Sequence, residues 1–205
     1  MLFRSRGRRI VAIIAVHVGT EPDGHRLIGP LRAAGGTLVD TFGALGAADL
    51  VRVAGDPEQP APARGDGFMV DGLTPGMVEA VAELIAQDAL TPLGGLELRL
   101  LGGALARAPE GHGALGALDG AFSVFAGGAA VDDDARAAIG DRLDDLRARL
   151  APWTTPQALL SSARGGTDPA QAFDGETWER LRRARDAFDP DRLIVSSHPG
   201  PDDLT

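Results

Sequence analysis

The chain has 205 residues, a formal net charge of −9 and a sequence pI of about 4.8. This acidic balance argues against nucleic acid and anionic membrane as main partners, because both need clustered positive charge. Apolar residues make up 44% of the chain, enough for a globular core, while cysteine is absent and all twenty basic residues are arginine. Disulfides, thiolate nucleophiles and lysine Schiff bases are therefore excluded.

The predicted elements of the first third alternate between strands and helices. The β-branched run Arg9–Val18 favours a buried strand, and Arg26–Ala34 favours a helix ended by two glycines. Thr37–Phe42 is a plausible short strand, and Ala44–Val53 has a helical composition. A Pro-rich loop without periodicity then spans residues 56–66.

The amino terminus resembles a secretion signal only in outline. Basic residues precede the apolar stretch, but the stretch breaks at His17 and no clean small-residue cleavage site follows. No apolar run approaches the roughly 18 residues that a membrane span needs. We therefore expect a cytoplasmic protein without a membrane partner.

The clearest predicted elements lie in the middle of the chain. Gly67–Asp71, Leu93–Leu101 and Gly120–Gly128 read as strands. A helix should begin after Thr74, with that threonine as its N-cap, and another should span Asp132–Leu150 with acids at its start.

The remaining elements complete an α+β pattern. Gln157–Ser162 is a possible short strand and Glu176–Phe188 a basic helix. No helix separates the strands Leu93–Leu101 and Gly120–Gly128, so they can pair antiparallel. The sequence therefore predicts a single domain over residues 1–205: an antiparallel or mixed sheet with helices packed on one face.

Two opposite charges interrupt the apolar strand LELRLLGGALAR, residues 96–107. Alternate residues of a strand share a face, so Glu97 and Arg99 should lie on one face and Leu96, Leu98 and Leu100 on the other. On an exposed face such a pair is usually structural and contributes under about 1 kcal/mol. It becomes of functional interest if a ligand, a second module or a dimer partner covers that face.

Motifs of several other chemistries are missing from the sequence. It has no phosphate-binding loop with lysine, no GxGxxG after a strand and no GxSxG nucleophile motif. Its histidines are widely spaced, which predicts no metal site. His112 lies in a glycine-rich loop, where a ligand contact or a solvated side chain would both fit.

The carboxyl-terminal segment TWERLRRARDAFDPDRLIVSSHP, residues 177–199, resembles the closing segment of FAD-linked oxidases of the berberine-bridge-enzyme type, within the vanillyl-alcohol-oxidase group. LELRLLGGALAR and the following GAFSVFAGG strand resemble the substrate-domain strands of bacterial members, and residues 25–62 resemble that domain's first helix, strand and Pro-rich loop. The resemblance covers about residues 9–200, and residues 152–205 correspond to the family's carboxyl-terminal segment.

This resemblance implies part of an FAD-dependent oxidoreductase that oxidises a small organic alcohol, sugar or natural product. In the family, a sheet of the substrate module covers a flavin held by a separate FAD-binding module, which has no counterpart in residues 1–205. The implied chain is a truncated or split member, inactive alone, with FAD present only if that module is supplied in trans.

The resemblance also implies candidate site residues, although catalytic residues stay unassigned. The substrate-facing candidates are Glu97, Arg99, Arg107 and His112. The candidates for contact with the cofactor are Ser161, at about the place of an asparagine in the family, and His198.

Two other functions remain open at this point. The chain could be a binding or assembly protein that dimerises through its exposed sheet face, because a bare apolar face rarely stays monomeric. It could also be a cofactor-free enzyme that binds a small molecule, with Glu97, Arg99 and His112 as polar anchors of a pocket.

Overall fold

The structure is a computed structural model that describes residues 2–5, 8–53 and 59–198. Part of the predicted Pro-rich loop and the last seven residues of the segment 152–205 lie outside this description. The chain forms two compact units, one of residues 1–11 and 61–205 and the other of residues 12–60. Whether both unfold together, as the single domain expected from the sequence, stays a prediction.

The larger unit contains a five-stranded sheet in the order β2-β1-β4-β5-β3, in which every neighbouring pair is antiparallel. This confirms the predicted α+β class. The strands are β1 (Leu2–Ser5), β2 (Arg8–Val11), β3 (Ala63–Val70), β4 (Gly95–Leu100) and β5 (Phe122–Ala129).

Two helices pack on one face of this sheet. Helix α2 (Pro75–Ala86) begins after Thr74, whose side chain accepts a hydrogen bond from the Met77 N–H. Helix α3 (Asp133–Leu150) begins after Asp132, whose carboxylate accepts one from the Ala135 N–H at 2.7 Å. Both caps satisfy a backbone donor that the first turn would leave unpaired. The Thr74 cap confirms the prediction from the sequence.

The hydrophobic core lies between these helices and the strands β3, β4 and β5. It is built from alternate strand residues and one face of each helix, as the apolar periodicity predicts. Its buried members include Val70, Leu96, Val124 and Ala126 from the sheet and Met77, Val81, Leu84, Ile139, Leu143, Leu146 and Leu150 from the helices.

Two further helices lie outside this core. Helix α1 (Glu21–Ala33) belongs to the smaller unit and buries none of its residues. Helix α4 (Gly175–Phe188) begins after Asp174, and its Trp178 stacks on Phe173 with ring centroids 6.1 Å apart. Short 3-10 helices span Ala47–Arg52, Gly103–Ala106, Ala151–Trp153 and Pro169–Ala172.

Three predicted strands differ from the structure. The run Arg9–Val18 is extended only as far as Val11, and Ile13, Ile14 and Val16 are more than half exposed. Thr37–Phe42 and Gln157–Ser162 contain no strand. Apolar composition alone does not form a strand, because pairing and cover by a neighbouring layer decide it.

Within the described residues, no helix combines the length and the apolar character that crossing a bilayer would require.

Candidate functional site

The sheet face opposite α2 and α3 carries the polar residues of strand β4. Leu96 is fully buried and Leu98 packs against the core, so the intervening Glu97 points away from the helices. Leu100 shares the face of Leu96 but is 69% exposed, because the core does not extend to the end of the strand. The predicted alternation is confirmed, while the predicted burial of Leu100 is wrong.

Glu97 and Arg99 form an ion pair on this open face, with 2.6 Å between Oε1 and a guanidinium nitrogen. The Glu97 side chain is 25% exposed and that of Arg99 69%. The pair is therefore reachable from solvent and contributes little to stability. Chemically it offers a carboxylate that can accept a proton or a hydrogen bond, next to a cation with further N–H donors.

The antiparallel register places two residues of β5 directly beside this pair. Phe125 lies opposite Glu97, and Ser123 lies opposite Arg99. The Phe125 side chain is 40% exposed, whereas Ser123 is only 6% exposed. Glu97, Arg99, Phe125 and Ser123 thus occupy two adjacent rows of the open face, which we call the polar patch. The Phe125 ring extends over Gly65 of β3.

Neighbouring segments cover most of strand β3 on the same face. A Cβ at Gly67 would lie 2.5 Å from the Ser162 Oγ, and one at Gly65 would lie 2.7 Å from the Phe125 ring. Met69 is fully buried and touches the position of Gly120. Among strands β3, β4 and β5, the accessible part of the open face therefore lies on β4 and β5, around the polar patch.

Sequence reasoning found half of the polar patch. It selected Glu97 and Arg99 because charges within an apolar strand are conspicuous, but it passed over Ser123 and Phe125. Alternation in GAFSVFAGG places those two on one face and Val124 on the other. Only the register shows that this face is the face of Glu97.

The other substrate-facing candidates lie in the loop between β4 and β5. Arg107 ends the 3-10 helix Gly103–Ala106, and its backbone N–H donates to the Ala104 carbonyl. The exposed His112 ring has its Nδ1 2.6 Å from the carbonyl oxygen of its own neighbour, Gly113. Among the described contacts, none joins Arg107 or His112 to the Glu97–Arg99 pair.

The cofactor-contact candidates Ser161 and His198, which are 37 positions apart, line one cleft of about 670 Å³ beside α4. Within the described part of the chain, the buried Nδ1 of His198 has no hydrogen-bond partner. The aromatic pair Phe173–Trp178 forms an apolar wall of this cleft. Its polar lining also includes Asp168, Arg182, Arg185, Asp186, Arg192, Ser196 and Ser197.

No protein-family model matches the sequence, and no curated protein matches it significantly. A solved structure does match: a variant of BBE-like 1 from Physcomitrella patens, with a TM-score of 0.68 and 14% identity. The match covers 89% of this chain and 43% of that one. The fold is BBE-like. The chain spans less than half the length of this BBE-like structure.

The BBE-like fold implies FAD in related proteins. A site for FAD in this chain would have to bind its diphosphate. A diphosphate is usually bound at a helix N-terminus with free backbone N–H groups. Here each of the four α-helices has an N-cap side chain that accepts a hydrogen bond from a backbone N–H of the first turn. These N-cap residues are Thr20, Thr74, Asp132 and Asp174. Acidic residues also occupy the first turn of α1, α3 and α4. The helix N-termini that the structure describes therefore do not fit the diphosphate of FAD.

The described residues contain no group of three or more histidine, aspartate or glutamate side chains placed to hold a metal ion.

Proposed function

We propose that this chain is the substrate-facing part of an FAD-dependent oxidoreductase that acts on a small organic alcohol, sugar or natural product. The observation that carries the proposal is the BBE-like fold over 89% of the chain, combined with a polar patch on the sheet face that the helices leave open. Fold alone does not assign function, so the proposal depends on what the patch can do.

The polar patch has the parts that alcohol oxidation needs from the substrate side. The Glu97 carboxylate can accept the proton of a substrate hydroxyl, and its ion pair with Arg99 fixes its position on the strand. Phe125 offers a partly exposed ring against which the carbon skeleton of a substrate can pack. Glu97 would thus be the base and Phe125 a binding residue.

The acceptor of the two electrons would be a flavin held by a module outside residues 1–205. This follows from the poor fit of the described helix N-termini to a diphosphate and from the missing phosphate-binding motifs. Such a module could belong to the same polypeptide or to a separate chain. A flavin supplies a two-electron acceptor when bound, and the residues of this chain would bind and orient the alcohol and take up its proton.

The test is reconstitution with that module. The tagged chain is co-expressed with an FAD-binding module encoded beside it in the genome, and the purified complex is examined for the visible absorbance of oxidised flavin. Under anaerobic conditions, alcohols and sugars are added and bleaching of that absorbance is followed. We expect a yellow complex that one of these substrate classes bleaches.

Matched variants then test the site. Glu97→Gln should slow bleaching by at least about 100-fold, the usual contribution of a general base. Glu83→Gln, on the exposed side of α2, should leave the rate unchanged. The proposal fails if no flavin-binding module is encoded there, if the complex stays colourless, or if both variants bleach alike. A colourless chain that light scattering shows to be a dimer would instead favour assembly through the open face.

A further inference from the structure

The segment of residues 10–18, which we call the apolar run, carries almost no polar side chain. It reads IVAIIAVHV, in which His17 is the only polar residue. Runs without polar alternation are typical of strands that are covered on both faces. Here the larger side chains are exposed instead, by 66% for Val11, 53% for Ile13, 54% for Ile14, 61% for Val16 and 96% for Val18. A contiguous exposed stretch of this kind marks an interaction surface, unlike apolar residues that are exposed singly.

The smaller unit, residues 12–60, does not cover the apolar run. None of its residues whose burial the structure describes is buried, and helix α1 buries none of its side chains. Residues 12–18 belong to no helix or strand. Because ordering a chain costs entropy that buried apolar surface has to offset, we infer that cover for the run comes from outside residues 1–205.

The strand that precedes the run shows how such cover can attach. In the described sheet, β2 (Arg8–Val11) is the outermost strand and pairs only with β1. An outer edge presents backbone N–H and C=O groups that can pair with a further strand, especially where the edge is long and apolar. The run follows β2 directly in the chain, so a strand added along the run would also extend along the edge of β2.

The charges at the two ends of the run favour a second copy of this chain as the added strand. Arg9 precedes the run, and Glu21 and Asp23 follow it in the first turn of α1. Two antiparallel copies place the basic end of each against the acidic end of the other. The Glu21 side chain is 67% exposed. The exposed Arg9 uses one guanidinium nitrogen for carbonyls at the end of α2 and keeps further N–H donors for a carboxylate.

We propose that the apolar run is a self-association site, at which two copies of this chain pair as antiparallel strands around a two-fold axis at Ile14. In this register Ile14 lies opposite Ile14 of the second copy, and Arg9 lies opposite Gly19. Glu21 is then a diagonal neighbour of Arg9, at about 7–8 Å, a separation that long side chains bridge. The contact occurs twice, because a two-fold interface is self-complementary. It involves no residue of the polar patch, so this inference goes beyond the proposed function.

Sedimentation velocity of the isolated chain at a series of micromolar concentrations measures the association. We expect a monomer–dimer equilibrium. Ile14→Asp should raise the dimer Kd at least about 100-fold, because two carboxylates would meet at the axis without water. The matched control is Leu38→Asp in the same unit, since Leu38 is 57% exposed and Ile14 54%. It should leave the Kd unchanged.

Two results of this experiment would overturn the inference. A chain that is monomeric at every concentration would leave the run to another occupant, such as the flavin module. A dimer that Ile14→Asp leaves intact would place the contact elsewhere, such as on the open face of the sheet.

Charge reversal tests the antiparallel orientation. Arg9→Glu and Glu21→Arg should each raise the Kd about tenfold, because two attractive pairs in each dimer become repulsive. An equal mixture of the two variants should associate about as tightly as wild type, since opposite charges then meet at both ends. The mixture keeps the local cost of each substitution, so its recovery can come only from the contact between copies. A mixture that associates no better than either variant alone would show that the proposed pairing is wrong.

Hydrogen exchange gives a readout that does not depend on molecular mass. The amides of residues 12–18 should gain protection as the protein concentration rises through the dimer Kd, and Ile14→Asp should remove that gain. Amides that stay unprotected in the dimer would contradict strand pairing. None of these measurements needs a flavin, so failed reconstitution with a flavin module would overturn the proposed function and leave them standing.

Discussion

Arg164 binds Asp66 through both its backbone and its side chain. Asp66 is 2% exposed in strand β3, and it accepts the Arg164 backbone N–H at 3.2 Å and the guanidinium Nε at 3.0 Å. Arg147 of α3 donates to the same carboxylate at 2.8–3.0 Å. The Asp66 carboxylate thus links strand β3 to helix α3 and to the segment that contains Arg164.

This linkage predicts a large effect of Asp66→Asn on stability. Neutralising the buried carboxylate leaves two guanidiniums without their shared partner, and we expect a loss of about 2–4 kcal/mol in the free energy of unfolding. The loss should stay below that of a fully buried pair, because both arginine side chains are more than a third exposed. Urea unfolding measures it.

The control for this change is Asp144→Asn, since Asp144 pairs with the same Arg164 at 2.7 Å but is 63% exposed. Its effect should be much smaller than that of Asp66→Asn. Equal losses would mean that burial of the carboxylate does not matter, contrary to the role assigned to Asp66.

Leu96 and Leu100 share one face of β4 but differ in burial. Leu96 is fully buried, so Leu96→Ala should lower the free energy of unfolding by about 2–5 kcal/mol, through lost burial and the cavity left behind. Leu100 is 69% exposed, so Leu100→Ala should change it by no more than about 0.5 kcal/mol. If denaturant unfolding showed similar losses for both, the core would extend further along the strand than described.

Gly67 of strand β3 lies directly beneath the segment that contains Ser162. A Cβ there would be 2.5 Å from the Ser162 Oγ and 2.9 Å from its backbone oxygen, so Gly67→Ala should push this segment off the strand. We expect a loss of about 1–3 kcal/mol, typical of overpacking. Gly102→Ala, at a position where a Cβ meets nothing within 4 Å, is the control and should be nearly neutral. Thermal unfolding measures both variants. Equal Tm values for Gly67→Ala and Gly102→Ala would mean that the segment containing Ser162 does not lie over Gly67.

The N-cap of α4 predicts acid sensitivity. Hydrogen bonds from the Thr177 N–H and hydroxyl hold the pKa of Asp174 below its ordinary value of 3.8. A depressed pKa in the fold means that this stabilisation is complete above pH 3.8 and is lost as the pH falls through the lower, folded value.

The comparison is with Asp174→Asn, which keeps a good N-cap but does not titrate. Wild type and variant should be similarly stable at neutral pH, and the variant should lose less stability on acidification below pH 3.8. Unfolding curves recorded across that range decide the matter. A constant difference between the two proteins at every pH would contradict the assigned role of Asp174.

The elements with a local cause were predictable from the residues alone. Thr74 predicts the start of α2, because a short polar side chain before an apolar periodic run satisfies the first free backbone donors. The acids at the start of α3 predict that helix, because negative charge is favourable at the positive end of a helix dipole. The alternation in LELRLL likewise separates Leu96 from Glu97, because neighbouring side chains of a strand point to opposite faces. Both hold in the structure.

Features that depend on contact between distant segments could be read only from the folded chain. Ser123 and Phe125 join Glu97 and Arg99 only through the β4–β5 register, and Leu100 stays exposed only because the core ends before it. The same holds for the run Arg9–Val18, whose apolar residues past Val11 find no strand to pair with. Periodicity assigns a residue to a face, but pairing and packing with other segments determine which faces meet and which remain open.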